Sequence, residues 1–147
     1  MGARIILKNI NLMKTLLALL LLIGCLRQNE MKDISIEYIK ESYSTNEALQ
    51  VTLTNKTNES LFYYIGLECF INDEWREVVN DINNPKSKSS IISKLQVDEK
   101  KDVSFLIEKV LQDFIPNFDT YRLKINYGIT VDAINKQNYS HPFKIKK

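Results

Sequence analysis

Histidine, cysteine and glycine are scarce in this chain of 147 residues. Its one histidine, His141, and its two cysteines, Cys25 and Cys69, are too few for a zinc site, which needs clustered ligands. Four scattered glycines exclude a glycine-rich phosphate loop. His141 could act as a catalytic base only for its neighbour Ser140. Because adjacent strand residues face opposite sides of a sheet, these two side chains are not expected to meet. We therefore predict no enzyme activity, no metal and no cofactor.

Acidic residues are absent from the first 29 positions, where a short apolar run, Leu16 to Ile23, follows three basic residues: Arg4, Lys8 and Lys14. A basic start, a short apolar core and a small residue before a cleavage point are typical of a secretory signal peptide. A membrane-spanning helix needs about 20 apolar residues, far more than this run supplies. We predict a signal peptide over residues 1–24, with translation starting at either Met1 or Met13.

The end of this run, Leu22, Ile23, Gly24 and Cys25, resembles the lipobox of bacterial lipoprotein precursors. The resemblance implies that Leu22, Ile23 and Gly24 form the cleavage motif and that Cys25 carries diacylglycerol on its sulfur. Cleavage then makes Cys25 the first mature residue, acylated also at its amine, and two or more acyl chains anchor a protein stably to a membrane. Because Leu26 is not the aspartate of an inner-membrane retention signal, the outer membrane is favoured. The alternative is an ordinary signal peptide cleaved elsewhere.

The mature chain of 123 residues has the length of one domain. It keeps 17 basic against 18 acidic residues, so its composition gives no electrostatic case for nucleic acid binding. Residues 25–33 are polar and predict a tether, and residues 34–147 predict the domain. Cys69 is its second cysteine after Cys25 and lies among apolar residues, so we expect a buried thiol in a core held without an internal disulfide.

Apolar residues alternate with polar ones along most of the domain, a pattern that predicts strands with one buried face. Seven or eight short strands separated by turn residues indicate an all-β, antiparallel β-sandwich. The alternative fold is a closed barrel of the lipocalin type, which would carry lipid. One segment changes period and predicts a helical turn, with apolar residues at helical spacing and a terminating proline: Val110, Leu111, Phe114, Ile115 and Pro116.

Five stretches in order resemble the bacterial immunoglobulin-like domains of exported and lipid-anchored proteins: VTLTN, LECFINDEWREV, LQVDEKKDVSF, DTYRLKINYG and FKI. The resemblance implies an immunoglobulin-like sandwich in which Tyr121 is the tyrosine-corner residue, its hydroxyl bonding back to the backbone. It also implies that Trp75 packs across a hairpin. Such domains are adhesive or accessory binding modules, and the resemblance implies no chemistry.

Three regions are candidates for contact with a partner, one of them the loop around residues 128–138. Tyr63 lies between two other aromatic residues on one strand, and we expect it on the outer face if Phe62 and Tyr64 fill the core, with other tyrosines beside it: Tyr38, Tyr43 or Tyr139. Asn84 and Pro85 belong to the polar stretch 80–90, which predicts an exposed, mobile loop. The alternative is that the tyrosines only cover the second sheet face.

These patterns favour a non-enzymatic binding module, attached to the bacterial envelope by its N-terminal lipid, with an envelope protein or a glycan as partner. The first alternative is a secreted or anchored β-sandwich that inhibits proteases through an inserted loop. A hydrolase using paired carboxylates is a further alternative. Close carboxylates in NDEWRE and VDEKKD suggest either weak calcium binding or, as the interleaved Lys and Arg favour, solvated turns.

Overall fold

A computed structural model describes residues 32–111 and 119–146 of the chain. The predicted signal peptide, the lipobox with Cys25 and most of the tether lie outside the described residues. So do Phe114, Ile115 and Pro116 of the predicted helical turn. Within the described ranges, no helix is long and apolar enough to cross a membrane.

Strands hold 55% of the structure and helices 6%, which confirms the all-β prediction. The described strands are β1 Ile34–Glu37, β2 Ser42–Ser44, β3 Ala48–Asn55, β4 Leu61–Ile71, β5 Glu74–Val79, β6 Ser93–Leu95, β7 Lys100–Leu106, β8 Thr120–Gly128, β9 Lys136–Tyr139 and β10 Phe143–Lys146. One helical turn, α1 Ile107–Val110, follows β7, and a 3₁₀ turn, Val131–Ala133, follows β8.

The strands form two sheets. The smaller sheet has the order β1-β3-β7, and the larger has the order β2-β10-β8-β4-β5, with β6 also paired to β4 and β9 to β8. Each order has two ends, so neither sheet closes on itself, and the barrel alternative is wrong. The open edges leave a two-layered, sandwich-like fold.

One strand pair departs from the antiparallel prediction, because β2 pairs with β10 in parallel. The chain leaves the smaller sheet after Glu37 and enters the larger sheet at Ser42 without reversing its direction. A strand that switches sheets in this way needs a bend between its two halves. Tyr38 occupies that bend with a φ of 67°, in the left-handed region.

The core forms where inward residues of both sheets meet. On β3, Leu49, Val51 and Leu53 are buried as their alternation predicted. On the larger sheet the predicted inward residues are likewise buried: Tyr121, Leu123, Ile125, Tyr127, Phe143 and Ile145. Thr54 was expected outside but is buried, and the amide of Asn55 beside it donates to the carbonyls of Leu95 and Gln96.

The chain enters the domain at one end, which we call the entry end and define by Asp33, the turns 56–60 and 96–99, and the connection 129–135. Hydrogen bonds join Asp33 to the turn 56–60 and to the first residue of β9. Its carbonyl oxygen accepts from the Lys56 N–H at 2.8 Å, and its carboxylate binds the Lys136 ammonium at 2.9 Å. The β4–β5 hairpin turn at Asn72 and Asp73 lies at the opposite end of the strands.

Candidate functional site

Tyr63 is buried, with 2% of its surface exposed, so its prediction as an outward contact residue is wrong. Leu61 and Ile65 lie on the same side of β4 as Tyr63, and both belong to the core. The alternation is therefore the reverse of the expected one, with Phe62 and Tyr64 half-buried on the outer face. Burial also raises the pKa of the Tyr63 phenol. Because residues 62–64 are all aromatic, the sequence has no alternation there that could show which of them face the core.

The loop at residues 80–91 is fixed by a buried carboxylate. Asp81 is fully buried, and its two oxygens accept from the backbone N–H groups of Asn83 and Ile91. Asn84, a predicted contact residue, donates its amide to the Ser89 carbonyl at 3.1 Å within the loop. Pro85 is exposed at the tip. The loop is a series of turns and bends, and the protease-inhibitor alternative stays untested.

The two residues predicted to be structural both lie on the larger sheet. Tyr121, the second residue of β8, is fully buried and stacks with Phe143 at 6.4 Å between ring centroids. Burial raises its pKa to about 12. Its tyrosine-corner hydrogen bond stays a prediction. Trp75 lies opposite Phe70 across the β4–β5 hairpin, with ring centroids 5.1 Å apart.

An arginine stacked between two aromatic rings occupies the outer face of the larger sheet. The Arg122 guanidinium lies 4.2 Å from the Trp75 ring centroid and 3.9 Å from that of Tyr139. Its Nε and Nη2 contact a buried carboxylate oxygen of Glu68 at 2.8 and 2.7 Å. We call these four residues the Arg122 stack. Contact with an aromatic face and a carboxylate at once is what the planar guanidinium favours.

Lys124 extends the Arg122 stack by binding two carboxylates. Its ammonium lies 2.8 Å from Glu77 and 3.7 Å from Glu68. Burial alone would lower the pKa of Lys124, but the hydrogen bond and charge of Glu77 together with the charge of Glu68 raise it overall. The charges of this cluster therefore neutralise one another and cross-link β5, β4 and β8. The arrangement suits a stiff sheet face better than acid–base chemistry.

A second surface feature surrounds Tyr38. Tyr38 is 76% exposed and lines a groove of about 440 Å³ on the smaller sheet. We call this feature the Tyr38 groove and define it by its lining residues: Tyr38, Gln50, Val51, Thr52, Asp102, Val103 and Ser104. A smaller hollow of about 240 Å³, also lined by Tyr38 and Gln50, adjoins it next to Lys40 and Glu47.

The Tyr38 groove combines one aromatic ring with short polar side chains. Its floor carries the Gln50 amide and the Ser104 hydroxyl, and the Thr52 hydroxyl donates to an Asp102 carboxylate oxygen at 2.6 Å. The groups present can hydrogen-bond and stack on a ligand, which is the chemistry of binding.

Little in the sequence indicated this groove. Period-two alternation placed Tyr38 inward with Ile34 and Ile36, as one more residue of a strand. The strand ends at Glu37, and the charged residues Lys40 and Glu41 were the nearest signal that it would. The exposure of Tyr38 follows from the sheet switch, which depends on the pairing of β2 with the distant β10.

No set of three or more His, Cys, Asp and Glu side chains that could hold a metal ion occurs within residues 32–111 and 119–146. The close carboxylates of the hairpin turn are exposed. Cys69 is buried, and that burial raises the pKa of its thiol. A raised pKa disfavours the reactive thiolate, so Cys69 acts as a core residue.

No family model and no curated protein matches the sequence. Among solved structures, the chain is similar to a β-glucosidase from Listeria innocua in complex with gluconolactone, at 13% identity and a TM-score of 0.46, covering 78% of this chain and 16% of that one. It is also similar to the class 5 fimbriae chaperone CfaA, at 17% identity and a TM-score of 0.47, covering 76% of this chain and 54% of that one. This chain thus spans only part of each, and similarities this weak carry no argument about function.

Proposed function

We propose that this protein is a lipid-anchored module of the bacterial cell envelope that binds a partner and catalyses no reaction. The lipobox-like sequence ending at Cys25 supports the anchor and the envelope location, with the outer membrane favoured. The strand neighbours β1-β3-β7 and β10-β8-β4 support an immunoglobulin-like sandwich, because they match the A-B-E and G-F-C neighbours of that fold.

The observation that carries the binding role is the Tyr38 groove. A tyrosine in the left-handed region is unfavourable, and glycine would fit the bend without that cost. The bend alone therefore explains the φ of Tyr38 but not its large exposed ring. Tyrosine is among the residues that carry the most binding energy at interfaces.

Of the two partner classes, a glycan fits the groove better than a protein. A sugar ring offers an apolar face, which packs on an aromatic ring, and hydroxyl edges, which pair with amides, hydroxyls and carboxylates. The Tyr38 ring beside Gln50, Thr52 and Asp102 supplies both kinds of contact. The groove would then bind an envelope polysaccharide while the lipid anchors the protein to the membrane.

The anchor is tested by expressing the full chain in a bacterium supplied with labelled palmitate. We expect label in the wild type, loss of label in Cys25→Ala, and an intact mass that begins at Cys25 with added acyl groups. Absence of label from the wild type would remove the anchor from the proposal.

The groove is tested by co-sedimentation of the protein with purified bacterial sacculi and by titration with envelope oligosaccharides. We expect Tyr38→Ala to weaken binding at least tenfold, which corresponds to about 1.4 kcal/mol. The matched control is Phe70→Ala, which removes another exposed aromatic ring, on the larger sheet, and should bind as the wild type does. Binding that Tyr38→Ala leaves unchanged would exclude the groove as the site.

A further inference from the structure

We propose that the entry end of the domain rests on the lipid surface that holds the anchor, with Val97, Ile129 and Val131 inserted among the lipids. The inference rests on the proposed lipid anchor at Cys25. It adds to that anchor a second contact with the membrane and a fixed orientation of the domain.

Three aliphatic side chains are exposed at the entry end. Val97 is 43% exposed, Ile129 54% and Val131 48%. Val97 lies in the turn 96–99, which is joined to the end of β3 by a 3.2 Å hydrogen bond from the Asn55 N–H to the Glu99 carbonyl. Ile129 and Val131 lie in the connection between β8 and β9. Apolar tips gathered at one end suit the boundary between headgroups and acyl chains.

The connection that carries Ile129 and Val131 is held in place by its own packing. The Ala133 N–H donates to the Thr130 carbonyl at 3.2 Å, closing the 3₁₀ turn. The same turn packs so tightly over Gly128 that no side chain would fit there. The two apolar side chains are therefore presented outward by a turn built on the sheet, which lowers the ordering cost of binding.

The length of the tether decides which end of the domain lies near the membrane. Seven residue steps separate Cys25 from Lys32, so an extended chain spans at most about 25 Å. The longest strand, β4, has 11 residues and a length of about 36 Å. The tether enters beside Asp33, at the entry end, and is too short for the lipid to reach the opposite end of β4. The Phe70–Trp75 hairpin then lies on the side away from the membrane.

Charges at the entry end have both signs. Exposed Lys56 and Lys136 stand among exposed acidic residues: Glu59, Asp98 and Asp132. The Lys136 ammonium is already paired with Asp33. The contact should therefore depend on the apolar tips, with little preference for anionic headgroups and little sensitivity to salt.

The test uses the full acylated protein in zwitterionic phosphatidylcholine vesicles whose acyl chains carry bromine, a quencher of tryptophan fluorescence. Trp75 is the single tryptophan of the chain. A reporter with Trp75→Phe and Ile129→Trp should lose fluorescence relative to unbrominated vesicles. The wild type and a second control, Trp75→Phe with Ile91→Trp, should not, since Ile91 is equally exposed but lies outside the entry end. If the Ile129→Trp reporter unfolds at a lower temperature than the wild type, the Val131→Trp reporter is used in its place.

Each contrary result has a separate meaning. An acylated chain whose Ile129→Trp and Val131→Trp reporters stay unquenched keeps the anchor and overturns the docking. Equal quenching of the Ile91→Trp control overturns it as well, because the domain then lies on its side. A mass without acyl groups refutes the anchor, and the docking with it.

Discussion

At the scale of single residues, Tyr38 links backbone strain to binding. Its φ of 67° costs about 1–3 kcal/mol for a residue with a bulky side chain. Tyr38→Gly should relieve that strain and raise the free energy of unfolding by roughly 1 kcal/mol, while the loss of the ring abolishes binding in the groove. Urea unfolding and the sacculus assay measure the two effects on the same variant.

The comparison that isolates the strain is Tyr38→Ala. Alanine removes the ring but keeps a Cβ in the left-handed region, so it should lose binding without the gain in stability that glycine brings. If both variants had the same free energy of unfolding, backbone strain at Tyr38 would be negligible, and the argument from the bend would fail.

At the scale of elements, the Arg122 stack joins β4 to β8 through a buried ion pair. Glu68→Ala should lower the free energy of unfolding by about 3 kcal/mol, because it leaves the Arg122 and Lys124 charges without the carboxylate between them. The control is Glu74→Ala, whose ion pair with Arg76 is exposed and should contribute less than about 1 kcal/mol. In a double-mutant cycle, Glu68→Ala with Arg122→Ala should cost less than the sum of the single variants.

The connection over β8 predicts a contrast between two glycines. A Cβ at Gly128 would overlap the backbone carbonyl of Ala133, whereas one at Gly66 would lie 2.9 Å from the Asn80 carbonyl oxygen. Gly128→Ala should therefore displace the 3₁₀ turn and destabilise the protein by about 2–3 kcal/mol, more than Gly66→Ala does. Thermal melting of both variants measures this order, and equal melting temperatures would mean that the turn moves freely.

At the scale of the whole molecule, the sequence predicted the layers better than the connections. Alternation identified the inward faces of β3, β8 and β10, since a half-buried strand must alternate. It did not predict the parallel pairing of β2 with β10, because that contact joins segments about 100 residues apart and depends on a bend at Tyr38. It also placed Tyr63 on the wrong face, because its neighbours Phe62 and Tyr64 are equally apolar.

The candidate site was less predictable than the fold for the same reason. Asn84 and Pro85 were chosen because polar loops often carry function, but the structure closes that loop on Asp81, which the sequence offered only as one more acidic residue. The Tyr38 groove gathers residues of β3 and β7 that are about 50 positions apart. Short polar side chains such as Thr52 and Ser104 have no sequence signal until strand pairing brings them together.

Two buried tyrosines of β8 make the stability of the molecule depend on alkaline pH. Burial raises the pKa of Tyr121 to about 12, and burial with the charge of Asp33 raises that of Tyr127 to about 12. Between pH 10 and 12 the unfolded chain releases these protons and the folded one keeps them. The free energy of unfolding is therefore complete below pH 10 and falls as the pH rises, by on the order of 2 kcal/mol per tyrosine.

Removing one phenol should make that fall shallower. Tyr127→Phe should lose its share of the slope between pH 10 and 12, and Tyr121→Phe with Tyr127→Phe a larger share. The remainder comes from the raised pKa values of Tyr63, Cys69 and Lys124. Urea unfolding at pH 8, 10, 11 and 12 measures the slope, and the pH 8 value separates it from any loss of packing or of the Tyr127–Asp33 hydrogen bond. A double variant as steep as the wild type would show that the buried phenols ionise without unfolding, and that water reaches β8 in the folded domain.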